Sequence, residues 1–329
     1  MQFGQLKRRE FVSLLGGAAA WSMAAHAQQP GRVWRIGFLS NSVGPPPPAI
    51  LNVLRESLRE RGYVEGQNTI IDVRWTHGQA DPGVATELLR NNVDVIVAWG
   101  TPAVTAARGA TTTIPIVMVS VSDPVGMGFV ATLARPGGNV TGSSNVAPDL
   151  SAKLVGTFVQ VVPGMSGLGV MLNPSNPGAV AQIAGTQEAI RALGLQYRVV
   201  NAATPEEFEV AFARLSAEGI KGVVLLVDAS NIEHAEKIAK LALQARLPTA
   251  YQRRENVEVG GLLSYGPNPN EQWRQTAFYV DRILKGEKPA DLPVQLPTKF
   301  DLVINLKTAK TLGLIIPPSV LAISDELVE

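Results

Sequence analysis

The sequence contains no cysteine and is poor in histidine, with three in 329 residues. The lack of cysteine excludes disulfide frameworks, cysteine-ligated zinc, iron–sulfur clusters, thiol nucleophiles and lipid attachment through a cysteine. Charge is also sparse and balanced: 17% of residues are charged, and 29 basic against 28 acidic residues leave a formal net charge of +1. A nucleic-acid binder needs a strongly basic face, so no nucleic-acid partner is expected. Long hydrophobic runs are missing too. The apolar stretch that starts at Phe11 is diluted by Gly and Ser and runs about 15 residues, short of the roughly 20 that a membrane span needs. What remains is 46% hydrophobic residues, 31 Gly and 23 Pro. That is the composition of a globular chain, and its length suits about two domains.

Several catalytic and cofactor signatures are absent as well. There is no G-x-S-x-G nucleophile elbow, no phosphate-cradling G-x-x-x-x-G-K-[ST] and no G-x-G-x-x-G after the first predicted strand, which reads Gly37-Phe38-Leu39-Ser40-Asn41-Ser42. His77 and His234 stand alone, without a second ligand at metal spacing. No catalytic residue, metal or cofactor is therefore expected.

The N-terminus reads as a leader. Lys7-Arg8-Arg9 is basic, the run from Phe11 to Trp21 is uncharged, and Ala25-His26-Ala27 is a small-x-small exit before Gln28. These are the parts of a secretory signal peptide over residues 1–27, and the paired arginines suggest twin-arginine export. Cleavage near Ala27 leaves 26 basic and 27 acidic residues. The rest of the chain holds no stretch fit to span a bilayer, so a soluble exported protein is expected.

Beyond the leader, short apolar runs alternate with helical periodicity. Strands are predicted over 33–39, 69–75, 93–99 and 114–120, and helices over 49–61, 82–91, 101–110 and 125–134. The turn-rich Arg135-Pro136-Gly137-Gly138-Asn139-Val140-Thr141-Gly142 follows. The alternation then restarts, with helices at 150–162, 179–193, 205–218, 231–245 and 270–284, and strands at 168–172, 197–200, 222–227, 248–251 and 260–265. Thr204 is a predicted N-cap. Apolar strands separated by helices require a parallel sheet covered on both faces. The fold class is α/β, with two doubly wound halves.

Open α/β sheets bind ligands beyond the carboxyl ends of their strands. Those ends carry Ser40, Asn41, Ser42, Trp99, Thr101, Ser122 and Asp123 in the first half, and Asn173, Asn176, Asp228 and Tyr251 in the second. Thr101 and Ser122 precede predicted helices, where hydroxyls and free N–H groups receive a carboxylate. Asp123 or Asp228 could pair with an ammonium group, and Trp99 or Tyr251 could cover a ring. Each is also an ordinary cap or turn former. Together they point to a small-molecule site.

Several stretches resemble one family. Arg8-Arg9-Glu10-Phe11 with Leu14-Leu15-Gly16-Gly17, Gly62-Tyr63-Val64-Glu65-Gly66, Gly100-Thr101-Pro102-Ala103, Asp123-Pro124-Val125 with the 135–142 turn, and Ile283-Leu284-Lys285-Gly286 are similar to ABC-transporter substrate-binding proteins of the tryptophan/tyrosine type. The resemblance covers nearly the whole chain. It implies a type I periplasmic-binding-protein fold, two parallel-sheet lobes joined by crossover strands. The lobes would be 28–142 plus 266–293 and 143–265 plus 294–329. It further implies a monomer in the periplasm that captures a small solute, an aromatic amino acid or related compound, and touches an ABC permease and its ATPase transiently. An exported sensor that engages a receptor, or an exported α/β enzyme, is the alternative.

Overall fold

The structure is a computed structural model that describes residues 32–145 and 150–329. The expected leader and its cleavage site lie outside the described residues. The chain runs through β1 (Trp34–Ser40), α1 (Pro48–Arg59), β2 (Thr69–Trp75), α2 (Pro82–Arg90), β3 (Val95–Trp99), α3 (Thr101–Ala110), β4 (Ile116–Val121) and β5 (Val140–Ser144). These strands form one parallel sheet in the order β2-β1-β3-β4-β5. The reason lies in the apolar runs. On one face Ile36, Phe38, Val97 and Val119 pack against Leu54 and Leu58 of α1, and on the other Leu39, Ile96 and Met118 pack against Leu88 of α2 and Val104 of α3. Strands buried on both faces cannot alternate apolar with polar residues, which is why β3 reads as a continuous apolar stretch.

The chain then passes through α4 (Leu150–Val161), β6 (Gly167–Leu172), α5 (Pro177–Ala192), β7 (Gln196–Asn201), α6 (Pro205–Ala217), β8 (Gly222–Leu225), α7 (Ala229–Glu233), α8 (Ala235–Gln244), β9 (Thr249–Tyr251), α9 (Glu255–Glu258) and β10 (Leu263–Pro267). α10 (Pro269–Leu284) follows, then β11 (Phe300–Asn305), α11 (Leu306–Leu312), α12 (Pro318–Leu321) and β12 (Glu326–Val328). The second sheet has the order β12-β11-β10-β9-β8-β6-β7, and its strands are parallel except at the β10–β11 pair. α10 does not stay with this sheet. Its Trp273, Ala277 and Val280 complete the core of the first one. The chain thus passes between the sheets after β5, after β10 and again before β11.

These passages are tied to one another. Ser144 N donates to Gln295 O at 3.0 Å, Gln295 N to Gly142 O at 3.0 Å, and Asn268 N to Lys299 O at 3.0 Å. Gly142 is required where it stands: its φ is +130°, and a Cβ there would lie 2.2 Å from the Met118 carbonyl oxygen. Thr141 Oγ1 donates to Leu292 O at 2.6 Å. The turn-rich 135–142 segment therefore fixes the first passage.

Most helix starts follow local chemistry. Asn176, Asn268 and Asn305 accept hydrogen bonds from the first turns of α5, α10 and α11, and Thr204 forms a full capping box with Glu207 at α6. Two sequence expectations fail. The helix expected over 125–134 is absent. Asp123 takes φ +43° and Gly128 φ +66°, and Met127 N closes back on Asp123 O at 2.9 Å, so this stretch is a series of turns. The helix expected over 231–245 starts earlier and breaks at His234, giving α7 and α8.

Candidate functional site

The carboxyl ends of β1, β3 and β4 face those of β8 and β9, and contacts cross between the sheets. Gln182 of α5 donates through Nε2 to Ser122 Oγ at 2.8 Å while its Oε1 accepts from Val227 N at 3.2 Å. Ser122 Oγ donates onward to Asn145 Oδ1 at 3.3 Å. The Arg253 guanidinium, just past β9, lies 5.7 Å from the centre of the Trp99 ring at the end of β3, within cation–π range. Gly178 of α5 abuts Thr101 of α3, so closely that a Cβ would come 2.6 Å from Thr101 Oγ1.

Beside Trp99 lies a cavity of about 320 Å³, lined chiefly by Asn41, Ser42, Pro45, Trp99, Ile232 and Glu233. Its walls come from both sheets. Most of the lining is apolar, and a few convergent polar groups stand among it, the usual make-up of a small-molecule pocket.

Three of the sequence-predicted residues, Asn41, Ser42 and Trp99, line this cavity. The Asn41 amide rests on Gly100, where a Cβ would lie 2.6 Å from Asn41 Nδ2; the glycine, at φ +87°, makes that approach feasible. Ser40 is fully buried and its Oγ receives Ser42 N at 3.1 Å, so it shapes the turn beneath Ser42. Trp99 meets Trp273 edge-on, with ring centres 5.8 Å apart. Thr101 and Ser122 are buried at the sheet-to-sheet contact, and Ser122 N donates to Thr101 Oγ1 at 3.4 Å. No helix follows Ser122, because 125–134 is turns, so the helix N-terminus expected there does not exist.

The remaining five are placed differently. Asp123 is exposed and caps its own turn, accepting from Gly126 N at 2.8 Å. Asn173, Asn176 and Asp228 form one cluster. Asp228 accepts from Asn173 Nδ2 at 3.2 Å, Asn176 Nδ2 at 2.9 Å and Ser230 N at 2.9 Å. Its carboxylate is thus occupied in starting α7, the helix that carries Ile232 and Glu233 to the cavity. Tyr251 packs in the core of the second sheet with Val257 and Val303, and burial raises its phenol pKa well above the ordinary value.

Sequence reasoning missed Gln182, Ile232, Glu233 and Arg253. Arg253 stands two residues past Tyr251, where a wider strand-end window would have caught it; Gln182 lies inside a helix and carries no signal. Arg253 Nη2 donates to Glu255 Oε1 at 2.6 Å. Burial pushes the Glu255 carboxyl up, yet the adjacent guanidinium more than offsets this and holds its pKa below the ordinary value. His77 Nδ1 meets Val43 O at 2.8 Å and His234 sits edge-on to Phe208. Among the described residues, no group of three or more His, Asp or Glu is placed to hold a metal ion.

Residues 44–328 match the family described as ABC transporter substrate binding protein. The chain belongs to this family. A tyrosine-binding protein of Clostridioides difficile strain R20291 is 29% identical over 266 residues, covering 79% of this chain and 75% of the relative. The ABC domain in complex with L-Trp from Streptococcus pneumonia superposes with a TM-score of 0.81 at 25% identity, over 90% of this chain and 100% of that one. A ligand-free, open substrate binding protein with adhesive properties from Clostridium difficile gives 0.65 at 26% identity, over 90% of this chain and 99% of that one. The fold of this ABC transporter substrate binding protein is the type I periplasmic-binding-protein fold. Among the described residues, no helix is long and apolar enough to cross a membrane.

Proposed function

We propose that the chain is the exported, periplasmic solute-binding component of an ABC importer. It captures one aromatic amino acid or related aromatic compound between two lobes, 28–142 plus 266–293 and 143–265 plus 294–329. The observation that carries this reading is the cavity of about 320 Å³ shared by the two sheets, with Trp99 on one side and Ile232 on the other. Asn41 and Ser42 offer the solute hydrogen bonds. Ser40 supports Ser42, the Asn173, Asn176 and Asp228 cluster holds α7 in place, and Thr101 and Ser122 meet the opposite lobe.

The solute acts by shifting an open–closed equilibrium, since it touches both walls only when they approach. The described arrangement is read as the closed one. Gln182 and Arg253 reach across the cleft, and the TM-score is higher to the L-Trp complex than to the ligand-free, open protein, 0.81 against 0.65. No covalent step takes part. The closed monomer then docks transiently on a permease and its ATPase.

The test is a thermal-shift screen of residues 28–329 against L-tyrosine, L-tryptophan, L-phenylalanine, aromatic acids and sugars, with mass spectrometry of the recovered compound. A ligand at about 1,000 times its dissociation constant adds roughly 4 kcal/mol, a shift of several degrees. A selective shift by aromatic compounds recovered unchanged is expected. A shift by sugars alone, or chemical turnover of the compound, would refute the reading.

A further inference from the structure

A second cavity, of about 560 Å³, lies on the passages between the sheets and shares no lining residue with the cleft cavity. Its volume falls within the roughly 300–1,000 Å³ of small-molecule sites. One wall is a face of α10 that carries Glu271, Gln272 and Gln275, while Trp273, Ala277 and Val280 of the same helix turn to the first sheet. The other wall is the 294–299 stretch that leads into β11.

These walls are anchored to different sheets. Val294 packs in the core of the first sheet, and Gln295 N is tied to Gly142 O. At the other end Asn268, which also lines the cavity, donates through Nδ2 to Asp301 Oδ2 of β11 at 2.8 Å. A rotation of one sheet against the other therefore reshapes this space. Its chemistry is polar and balanced. Gln272, Gln275 and Gln295 present amides and Thr298 a hydroxyl, groups that both donate and accept. The charges are one of each sign, with Lys299 Nζ 3.8 Å from Glu271 Oε2. No aromatic side chain lines the space. Gln272 is 6% exposed, yet its Nε2 has no hydrogen-bond partner, an unfavourable state for a buried donor. The terminal amide torsion is soft, so this donor swings readily to a ligand hydroxyl.

We propose that this cavity is a second binding site, for a neutral polyhydroxyl compound of sugar size, and that its occupancy strengthens solute capture in the cleft. The coupling rests on the solute-binding reading above; the binding itself does not. Hydroxyls match the amides because they too donate and accept. A charged ligand would meet a like charge in the Glu271–Lys299 pair, and an aromatic one would find no ring to stack on. The C–H faces of a polyol suit Val294, Leu296 and Pro297. Since the described arrangement is read as the closed one, a compound that fits the cavity as it stands favours closure. By linkage, a solute in the cleft tightens the polyol by the same factor.

The test is isothermal titration of the full exported chain with D-glucose, D-ribose, myo-inositol and glycerol, beside D-glucuronate and D-glucosamine as charged counterparts. At least one neutral compound should bind with a dissociation constant below about 10 mM, and both charged ones at least about threefold more weakly than it does. Gln272→Met keeps the side-chain length but removes the amide, and should weaken that binding at least about fivefold. Thr298→Trp puts a bulky ring at an exposed position of the wall and should abolish it, the folding of both variants confirmed by their melting transitions. Ile232→Trp fills the cleft cavity instead and should retain it. At saturating polyol, the aromatic probe that shifts wild type should bind at least about threefold more tightly, and no more tightly in Thr298→Trp. Binding by none of the neutral compounds would overturn the proposal, as would binding that survives in both folded wall variants. Binding lost in Ile232→Trp but kept in Thr298→Trp would put the polyol in the cleft and overturn it too. Unchanged aromatic affinity at saturating polyol would overturn the coupling alone. Failure of every aromatic probe, with the polyol titrating as expected, would overturn the cleft reading and the coupling and leave the second site standing.

Discussion

The contact between Gly178 and Thr101 offers a direct handle on closure. Gly178 lies in the first turn of α5 and Thr101 in the first turn of α3, on opposite sheets. A Cβ on residue 178 would stand 2.6 Å from Thr101 Oγ1 and 3.1 Å from Thr101 Cβ. Thr101 cannot easily yield, because a β-branched side chain is stiff at χ1 and this one is buried. Overpacking of this kind costs about 1–3 kcal/mol. In Gly178→Ala most of that penalty falls on the closed arrangement, since opening moves the two residues apart and leaves only the 3.2 Å approach to the Asn176 Oδ1 cap of the same helix. Affinity for a solute that needs closure should therefore fall by about 5- to 150-fold. Folding should change little: the mild crowding of the Asn176 cap is offset by the roughly 0.5–1 kcal/mol by which alanine is favoured over glycine in a helix. Titration calorimetry with a probe that shifts wild type, together with the melting temperature of the ligand-free variant, reads both effects. Thr101→Ala in the same chain should recover most of the lost affinity, a coupling that a double-mutant cycle isolates. An unchanged dissociation constant would refute the reasoning. So would a fall in ligand-free stability without loss of affinity, since it would make the contact part of a permanent core.

Two further predictions concern the scaffold. Tyr63 donates to Asp281 at 3.0 Å, and burial together with that bond pushes its phenol up to about 12 from 10. Because the folded-state value is raised, its stabilising contribution is fully present below pH 10 and is lost as the pH climbs from 10 to 12. Tyr63→Phe should be less stable near neutrality by about 1 kcal/mol, and the gap should close across that alkaline window; a gap that widens there would contradict the assignment. Gly142→Ala places a methyl against the Met118 carbonyl in a left-handed conformation and should destabilise by roughly 3 kcal/mol, read as a lower urea midpoint. A midpoint within error of wild type would show that the first passage between the sheets is less constrained than its geometry indicates.

The α/β fold was legible in the sequence because its signals are local. The β2 expectation at 69–75 and the α3 expectation at 101–110 coincide with the observed Thr69–Trp75 and Thr101–Ala110. The alternation of β2 and the Gly100-Thr101-Pro102 start of α3 leave little choice of structure there. The 125–134 stretch misled because its apolar residues fall at helical spacing, whereas Asp123, Gly126 and Gly128 favour turns that periodicity does not register. The split between α7 and α8 was invisible for a similar reason, since a single residue at His234 interrupts an otherwise helical pattern. Of the strand-end residues, Asn41, Ser42 and Trp99 reach the cavity because the β1 and β3 ends point into the crevice. Asp228 and Asn176 lie at the right strand ends but spend their polar groups on capping, a use that sequence position does not distinguish from ligand binding. Gln182 and Arg253 needed the opposite sheet to give them meaning, and a contact between distant elements leaves no local mark.

A crystal structure grown with whichever aromatic probe shifts the melting temperature most would test solute capture between the two sheets most directly. It should show one molecule, chemically unchanged, with its ring between Trp99 and Ile232 and a hydrogen bond from Asn41 or Ser42. A ligand seated outside this cavity, or a closed cleft that holds only water at saturating probe concentration, would contradict it.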